Sequence, residues 1–236
     1  LFVVMGMFVG ISGVGRDTFE VAAQLFRKLR GGLGMATVVA NAVFAAVNGT
    51  SIASASVFTR IAVPELLRLG YTPRFAVGVV AGSSVLGMLI PPSLLLILYG
   101  IIAEVSIGDL FTAGIVPGIV LAIFFGITIW VLATFFPRFV MAKETADRPV
   151  ATQHSPFVLL TKMSPITLLI VVVLGGIYGG VFTPTEAGAV GALLLAVARR
   201  SLTLKTMWGI LIETGHVTAS ILFLLVAAHL YATMLA

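Results

Sequence analysis

Two short groups of polar or helix-breaking residues interrupt long apolar stretches of this sequence and could supply oxygen ligands. The first occupies positions 48–51, in the middle of the uncharged run 31–59, and the second occupies positions 87–93 in the next apolar run. Backbone that stops being helical inside a membrane leaves carbonyl oxygens without partners, and such oxygens line water-filled cavities or coordinate small cations. We therefore expect a site at which neutral oxygen atoms bind a monovalent cation. The residues expected to supply these oxygens are Asn48, Gly49, Thr50, Ser51, Gly87, Leu89, Ile90 and Pro92. A loop between packed helices and a simple proline kink are the structural alternatives.

Small hydroxyl residues near these interruptions could meet an anionic group. Ser54 and Ser56 follow the first interruption, where the free amides and the dipole of a new helix favour negative charge. The alternative for both is close packing of small residues between helices. Thr183 and Glu186 have the spacing of an N-terminal capping box, which by itself accounts for them. The residues expected beside a bound solute are Ser54, Ser56, Ser93, Thr183 and Glu186.

Nothing in the sequence indicates an enzyme. The chain contains no cysteine, which excludes disulfides, thiolate metal sites and cysteine nucleophiles. No histidine pair has the spacing of a zinc protease, and no serine is framed by glycines as in a hydrolase nucleophile elbow. Glu213 and His216, three residues apart, could relay protons, and an interfacial position near the start of a membrane helix is the alternative explanation.

The composition predicts an integral membrane protein with an all-α fold, a polytopic helical bundle. Of the 236 residues, 59% are hydrophobic and 10% are charged, whereas a soluble domain carries about 25% charged residues. A helix crosses a bilayer with about 20 apolar residues, and several runs of that length are present, of which 110–136 is the clearest. The net charge of +5 comes from short basic clusters between apolar runs, which indicates membrane topology rather than nucleic-acid binding.

The uncharged run 31–59 allows two topologies, a single membrane span or a re-entrant helical hairpin. Both flanks are basic, and the positive-inside rule places basic loops in the cytoplasm, so only a hairpin satisfies both flanks. Its two halves, 35–47 and 52–64, have about 13 residues each, which is about 20 Å of helix and too short to cross alone. The flanking residues are Arg27, Lys28 and Arg30 before the run and Arg60, Arg68 and Arg74 after it.

The remaining segments follow from similar patterns. Residues 16–31 carry apolar positions at helical spacing and predict an amphipathic helix at the membrane surface. The run 75–103 predicts a helix that two prolines break near mid-membrane. The polar stretch 137–156 predicts a cytoplasmic linker. On this topology, all but two of the fourteen basic residues lie in cytoplasmic segments, and the exceptions are Arg60 and Lys162.

Several short motifs follow one another along the chain: Asn48-Gly-Thr-Ser-Ile-Ala-Ser-Ala55, Ile61-Ala-Val-Pro-Glu-Leu66, Gly70-Tyr71, Gly87-Met-Leu-Ile-Pro-Pro-Ser93 and Gly179-Gly-Val-Phe-Thr-Pro-Thr-Glu-Ala187. In this order they resemble the large membrane subunit of TRAP (tripartite ATP-independent periplasmic) transporters, the DctM family, over essentially the whole chain. Family members begin with more N-terminal membrane sequence and continue to a second re-entrant hairpin, so we expect the chain to be truncated at both ends.

The resemblance implies an elevator-type carrier of the bacterial inner membrane, working with a small membrane subunit and a periplasmic substrate-binding protein. It implies Na⁺ symport of an organic anion, such as a C4-dicarboxylate or a sugar acid, with no cofactor besides the coupling ion. The family's Na⁺ site would lie between the hairpin tip and the broken helix, where the residues themselves predict a cation. Thr50 and Ser51 replace the more usual Ser-Ala, and Ser54 stands where an acidic residue is common.

Inverted repeats in the family imply a division of the chain. Residues 1–136 would be a first-repeat portion with the arm 16–31, the re-entrant hairpin 34–67 and the broken helix 75–103. The linker 137–156 would lead to an incomplete second repeat, 157–236. The alternatives are another elevator-type carrier, such as a dicarboxylate/sodium symporter, and a membrane scaffold without transport activity. Two polar breaks in adjacent membrane segments disfavour the scaffold.

Overall fold

The computed structural model describes residues 2–142, 155–198 and 204–235. These residues form twelve α-helices and no β-strand, which confirms the predicted all-α fold. Positions 143–154, most of the predicted cytoplasmic linker, lie outside the described residues. The helices are α1 (Phe2–Ile11), α2 (Val14–Phe26), α3 (Gly32–Asn48), α4 (Ser51–Arg68), α5 (Pro73–Ser84), α6 (Leu86–Leu89), α7 (Leu94–Ile102), α8 (Ile107–Phe135), α9 (Pro137–Val140), α10 (Pro156–Tyr178), α11 (Pro184–Ala198) and α12 (Leu204–Leu235).

Three of the described helices, α8, α10 and α12, are long and apolar enough to cross a membrane. The helices α5 to α7 together make a fourth candidate span, bent by 43° at the proline break. Large apolar side chains such as Val116, Phe124 and Leu168 are more than half exposed on the long helices. Apolar surface of this extent is stable against lipid and not against water, so the chain is an all-α, multi-pass membrane protein.

The chain reverses direction between α3 and α4, at Gly49 and Thr50. Gly49 ends α3 with a φ of 69°, a left-handed conformation that glycine adopts without a steric penalty. On either side of this turn, the rings of Phe44 on α3 and Phe58 on α4 pack edge to face, with their centroids 5.5 Å apart. In one continuous helix the same two residues would lie about 21 Å apart. The two helices therefore form a hairpin, whose turn at Gly49 and Thr50 is called the tip below.

The hairpin helices are longer than the sequence indicates. α3 has 17 residues and α4 has 18, instead of about 13 each. α4 continues through Pro64 because Ala62 and Leu66 on either side of the proline are fully buried, and their packing offsets the lost hydrogen bond. Even so, neither α3 nor α4 is among the described helices that are long and apolar enough to cross a membrane, in line with the expectation for the two halves. The ring contact establishes the reversal, and helix length does not.

α2 occupies most of the predicted amphipathic segment and packs on α3. Its Glu20 forms an ion pair with Lys162 of α10, and both side chains are only partly exposed. Partial burial raises the pKa of Glu20, but the hydrogen bonds and charges of Lys162 and Arg16 outweigh burial and hold the pKa below its ordinary value. The ion pair accounts for Lys162, one of the two basic residues outside the predicted cytoplasmic segments.

Three hydrogen bonds join the turn after α4 to the end of α9 and the residues that follow it. The Thr72 N–H donates to the Val140 carbonyl at 2.9 Å, and the Thr72 hydroxyl donates to the Phe139 carbonyl at 2.6 Å. The Ala142 N–H donates to the Gly70 carbonyl at 2.9 Å. These bonds fix the start of the broken helix relative to the end of α8, an arrangement that the sequence did not indicate.

Candidate functional site

The tip of the hairpin touches the proline break directly. The Gly49 carbonyl accepts a hydrogen bond from the Leu94 N–H at 3.0 Å. A Cβ atom on Gly49 would lie 2.6 Å from the Pro92 carbonyl oxygen, and one on Gly87 would lie 2.7 Å from the Thr50 carbonyl oxygen. The two interruptions that the sequence singles out therefore form one site, in which only glycine allows the backbones to approach so closely.

The prolines remove two hydrogen-bond donors from the break. In a continuous helix the carbonyls of Gly87 and Met88 would bond to the N–H groups four residues on, but those positions are Pro91 and Pro92. Ser93 compensates for one loss, because its hydroxyl donates to the Met88 carbonyl at 2.5 Å. The Gly87 carbonyl accepts no hydrogen bond from any described residue.

Four more carbonyls of the break, those of Leu89, Ile90, Pro91 and Pro92, accept no hydrogen bond within the described ranges of the chain. Pro91 and Pro92 are buried, where a carbonyl without a donor costs about 1–3 kcal/mol. A bound cation can take the place of the missing donors. The carbonyls point to different neighbours, however: a Cβ on Gly114 of α8 would lie 2.9 Å from the Leu89 oxygen, whereas the Pro92 oxygen lies beside the tip.

Asn48 braces the tip through its side-chain nitrogen. The Nδ2 group donates to the Thr50 carbonyl at 2.9 Å and to the Thr50 hydroxyl at 3.1 Å. The Oδ1 atom is buried without a partner in the described chain, and a Cβ on Gly6 of α1 would lie 2.2 Å from it. The structure thus places the Asn48 oxygen against α1, and a role for it as a cation ligand stays a prediction.

The N-terminus of α4 adjoins the same site. Thr50 has extended backbone and Ser51 is the first residue of α4. A Cβ on Gly87 would lie 3.2 Å from the Ser51 backbone nitrogen, so the first turn of α4 faces the break. The first N–H groups of a helix have no intrahelical partner and favour negative charge. Carbonyls suited to a cation and amides suited to an anion therefore lie side by side.

The serines expected beside a solute lie in different environments. Ser54 is fully buried, and its hydroxyl has no hydrogen-bond partner in the described chain. Ser56, about half a helix turn away from it, is exposed. Ser93 is fully buried and accepts from the Leu96 N–H at 3.4 Å, so it caps α7 as well as bonding within the break. Of these three serines, only Ser56 is accessible to a solute in this structure.

Thr183 and Glu186 form the hydrogen bonds of a capping box at the start of α11. The Glu186 Oε2 atom accepts from the Thr183 N–H and from the Thr183 hydroxyl, each at 2.8 Å. The Glu186 N–H donates to the Thr183 hydroxyl at 3.4 Å. Both residues are exposed, and α11 packs on α1 and α10. Capping is the role that these contacts describe, and proximity to a solute stays a prediction.

Glu213 and His216 are exposed on α12, within the stretch that is apolar enough to span a membrane. No hydrogen bond joins the two side chains within the described part of α12. A proton relay through Glu213 and His216 therefore stays a hypothesis.

Sequence reasoning missed a buried polar contact behind the hairpin. The Asn41 side-chain nitrogen of α3 donates to the Ser83 hydroxyl of α5 at 2.6 Å, and both residues are almost fully buried. Such a contact holds two helices in one register, because sliding either helix would leave buried polar groups without partners. The one sequence signal for it is the position of Asn41, two helix turns before Asn48 and so on the same side of α3.

The chain matches the sequence model of one known protein family over its whole length. The family model for the DctM component of tripartite ATP-independent periplasmic transporters matches residues 1–236. The chain belongs to the DctM family. This membership confirms the resemblance that the motifs indicate, and it sets aside the dicarboxylate/sodium symporters as an alternative.

Curated relatives of this DctM-family chain cover nearly all of it. It is 34% identical to the C4-dicarboxylate TRAP transporter large permease protein DctM of Pseudomonas aeruginosa, over 99% of the chain and 54% of the relative. It is 30% identical to the sialic acid TRAP transporter large permease protein SiaM of Vibrio cholerae, over 100% of the chain and 54% of the relative. It is 30% identical to the isethionate TRAP transporter permease protein DctMQ of Oleidesulfovibrio alaskensis, over 99% of the chain and 36% of the relative.

These relatives are permease components of transporters and not enzymes, as the sequence indicates for this chain. The chain spans about half the length of the DctM and SiaM relatives.

Proposed function

We propose that this DctM-family chain is part of the large membrane subunit of a secondary active transporter that imports a small organic anion by Na⁺ symport. It works in the bacterial inner membrane with a small membrane subunit and a periplasmic substrate-binding protein. The names of the three relatives refer to C4-dicarboxylates, sialic acid and isethionate, each of which carries a carboxylate or a sulfonate. A solute with such an acid group, for example a C4-dicarboxylate or a sugar acid, is therefore the proposed cargo.

The contact between the tip and the proline break is the observation that best supports this function. Neutral oxygens suit a monovalent cation that must be released again. The Pro92 carbonyl lies beside Gly49, and the two residues that follow Gly49, Thr50 and Ser51, carry hydroxyls. A Na⁺ ion held there would bind both interruptions at once. The ion would therefore favour the arrangement in which the hairpin and the broken helix are docked.

The same site offers a physical basis for coupling the ion to an anion. A cation at the carbonyls and an acid group at the N-terminal amides of α4 would attract each other across the tip. Each would therefore raise the affinity for the other, which is the reciprocal coupling that symport needs. In the elevator mechanism that we propose, the hairpin carries both across the membrane together with the helices packed around it, including α2, α5 and α6.

The proposal is tested by uptake into proteoliposomes that contain the complete transporter with its small subunit and its binding protein. We expect an inward Na⁺ gradient to drive accumulation of at least one of three labelled solutes, succinate, sialic acid or isethionate. The double substitution Thr50→Ala and Ser51→Ala removes one hydroxyl from the tip and one from the first residue of α4, and we expect it to abolish Na⁺-driven uptake.

The matched control removes two hydroxyls elsewhere. Thr112 and Thr128 on α8 are exposed, and their hydroxyls donate within their own helix, so their joint replacement by alanine should leave uptake unchanged. Uptake of none of the three solutes under a Na⁺ gradient would refute the proposed function. Normal uptake by the tip double variant would refute the tip as the ion site.

A further inference from the structure

The exposed side of α4 carries three polar residues beside the apolar Ile52 and Leu67. They are Ser56, Thr59 and Arg60, and we call them the polar face of the hairpin. Arg60 forms no ion pair or hydrogen bond with any residue that the structure describes, whereas Arg68, two turns later on the same helix, donates to Glu65 at 2.6 Å. The opposite side of α4 is buried and consists of Ser54, Phe58, Ala62 and Leu66.

Lipid is not a suitable neighbour for this face. An arginine that faces hydrocarbon carries a large desolvation cost, and residues of this kind inside membrane proteins face protein or a water-filled cavity. The outward face of α8 shows the contrast, because its side chains Val116, Ile123 and Phe124 are all more than half exposed and apolar. The polar face of the hairpin therefore borders an aqueous path or a polar partner.

The polar face is continuous with the candidate site at the tip. Ile52, Ser56 and Arg60 follow one another at four-residue spacing, so they lie along one side of α4. Ile52 is 80% exposed, which shows that this side is open up to the first turn of the helix. Arg60 lies about 13 Å along the axis from Ser51. An anion on this path meets positive charge at both ends, from the amides of the tip and from the guanidinium.

We propose that Arg60 binds the acid group of the transported anion as the solute passes along the polar face of the hairpin. A guanidinium presents two parallel N–H groups that match a carboxylate or a sulfonate, and the hydroxyls of Ser56 and Thr59 can donate to the same group. This inference rests on the proposed function, and it adds a specificity-determining residue and the side of the hairpin that the solute follows.

The role of Arg60 is tested by uptake kinetics in the complete reconstituted transporter. The solute is whichever of succinate, sialic acid and isethionate the wild type accumulates. Arg60→Gln should raise the KM for that solute about tenfold or more, because a charge-assisted pair is lost, while the Na⁺ concentration for half-maximal uptake, measured at saturating solute, stays the same. Arg60→Lys keeps the charge but loses the two parallel donors, so its KM should lie between those of the wild type and Arg60→Gln. Arg68→Gln is the matched control, since Arg68 already has a partner, and its KM should equal that of the wild type.

Each alternative outcome has a distinct meaning. An unchanged KM in Arg60→Gln, with or without less folded protein, overturns this inference. In that case Na⁺-driven uptake by the wild type leaves the proposed function standing. Absence of Na⁺-driven uptake in the wild type itself removes the proposed function and this inference together.

Discussion

Replacing Gly87 by alanine should abolish Na⁺-driven uptake without unfolding the protein. The new Cβ would lie 2.7 Å from the Thr50 carbonyl oxygen, 2.8 Å from the Thr50 carbonyl carbon and 3.2 Å from the Ser51 nitrogen. All three are backbone atoms that cannot rotate away, so the tip and the break must separate. Because we place the ion between them, we expect uptake at physiological Na⁺ to fall at least a hundredfold, measured as the initial rate in proteoliposomes.

Gly78 provides the matched control for this prediction. It lies on α5, in the same broken helix, and a Cβ added there would meet no atom within 4 Å. Alanine in an open helical position stabilises by about 0.5–1 kcal/mol relative to glycine, so Gly78→Ala should transport normally and unfold at a slightly higher temperature. Equal uptake by Gly87→Ala and Gly78→Ala would show that the close approach of tip and break has no role in transport.

Replacing Ser93 by alanine should give a large loss of stability that is confined to the break. The substitution removes the hydrogen bond to the Met88 carbonyl, worth about 0.5–1.5 kcal/mol, and the cap of α7, worth about 1 kcal/mol. We therefore expect a lower apparent melting temperature for the purified protein in detergent. Added Na⁺ should stabilise the variant less than it stabilises the wild type, because a ligand stabilises only the state that binds it.

Ser84 is the control for Ser93, since it is also buried and lies in the same broken helix. Its hydroxyl donates to the Ala81 carbonyl one turn earlier, a bond that supplements the helix and replaces no missing donor. Ser84→Ala should therefore melt near the wild-type temperature. If Ser93→Ala melted there too and gained as much from Na⁺, Ser93 would not be holding the break together.

The interruptions could be located from the sequence because local chemistry determines them. Gly49 can adopt the left-handed conformation that ends a helix, and the two prolines remove hydrogen-bond donors whatever their neighbours do. The structure breaks its helices at both places. Pro64 shows the limit of the same reasoning. It resembles a helix end in the sequence, yet α4 continues past it because fully buried neighbours hold the chain there, and that packing is visible only in three dimensions.

The contacts that hold the site together leave no pattern in the sequence near the residues that make them. Asn41 bonds to Ser83 across 42 residues of chain, Thr72 to Phe139 across 67, and Lys162 to Glu20 across 142. Periodicity and spacing report neighbours within a few turns, so they do not identify such partners. The same limit applies to Asn48, for which the sequence predicts an oxygen ligand. The structure shows its nitrogen bracing Thr50, an orientation that depends on Gly6 of a different helix.

The central claim is that the chain turns back within the membrane at Gly49, so that both ends of the hairpin lie on one side. Because the chain has no cysteine, single cysteines can report this with a membrane-impermeant maleimide in right-side-out and inverted vesicles. Arg30→Cys and Arg68→Cys, both at exposed positions, bracket the hairpin, and Val105→Cys after the broken helix is the reference for the other face. We expect positions 30 and 68 to react from the cytoplasmic side and position 105 from the periplasmic side. Labelling of positions 30 and 68 from opposite sides would mean that the chain passes through at Gly49, and it would contradict the account.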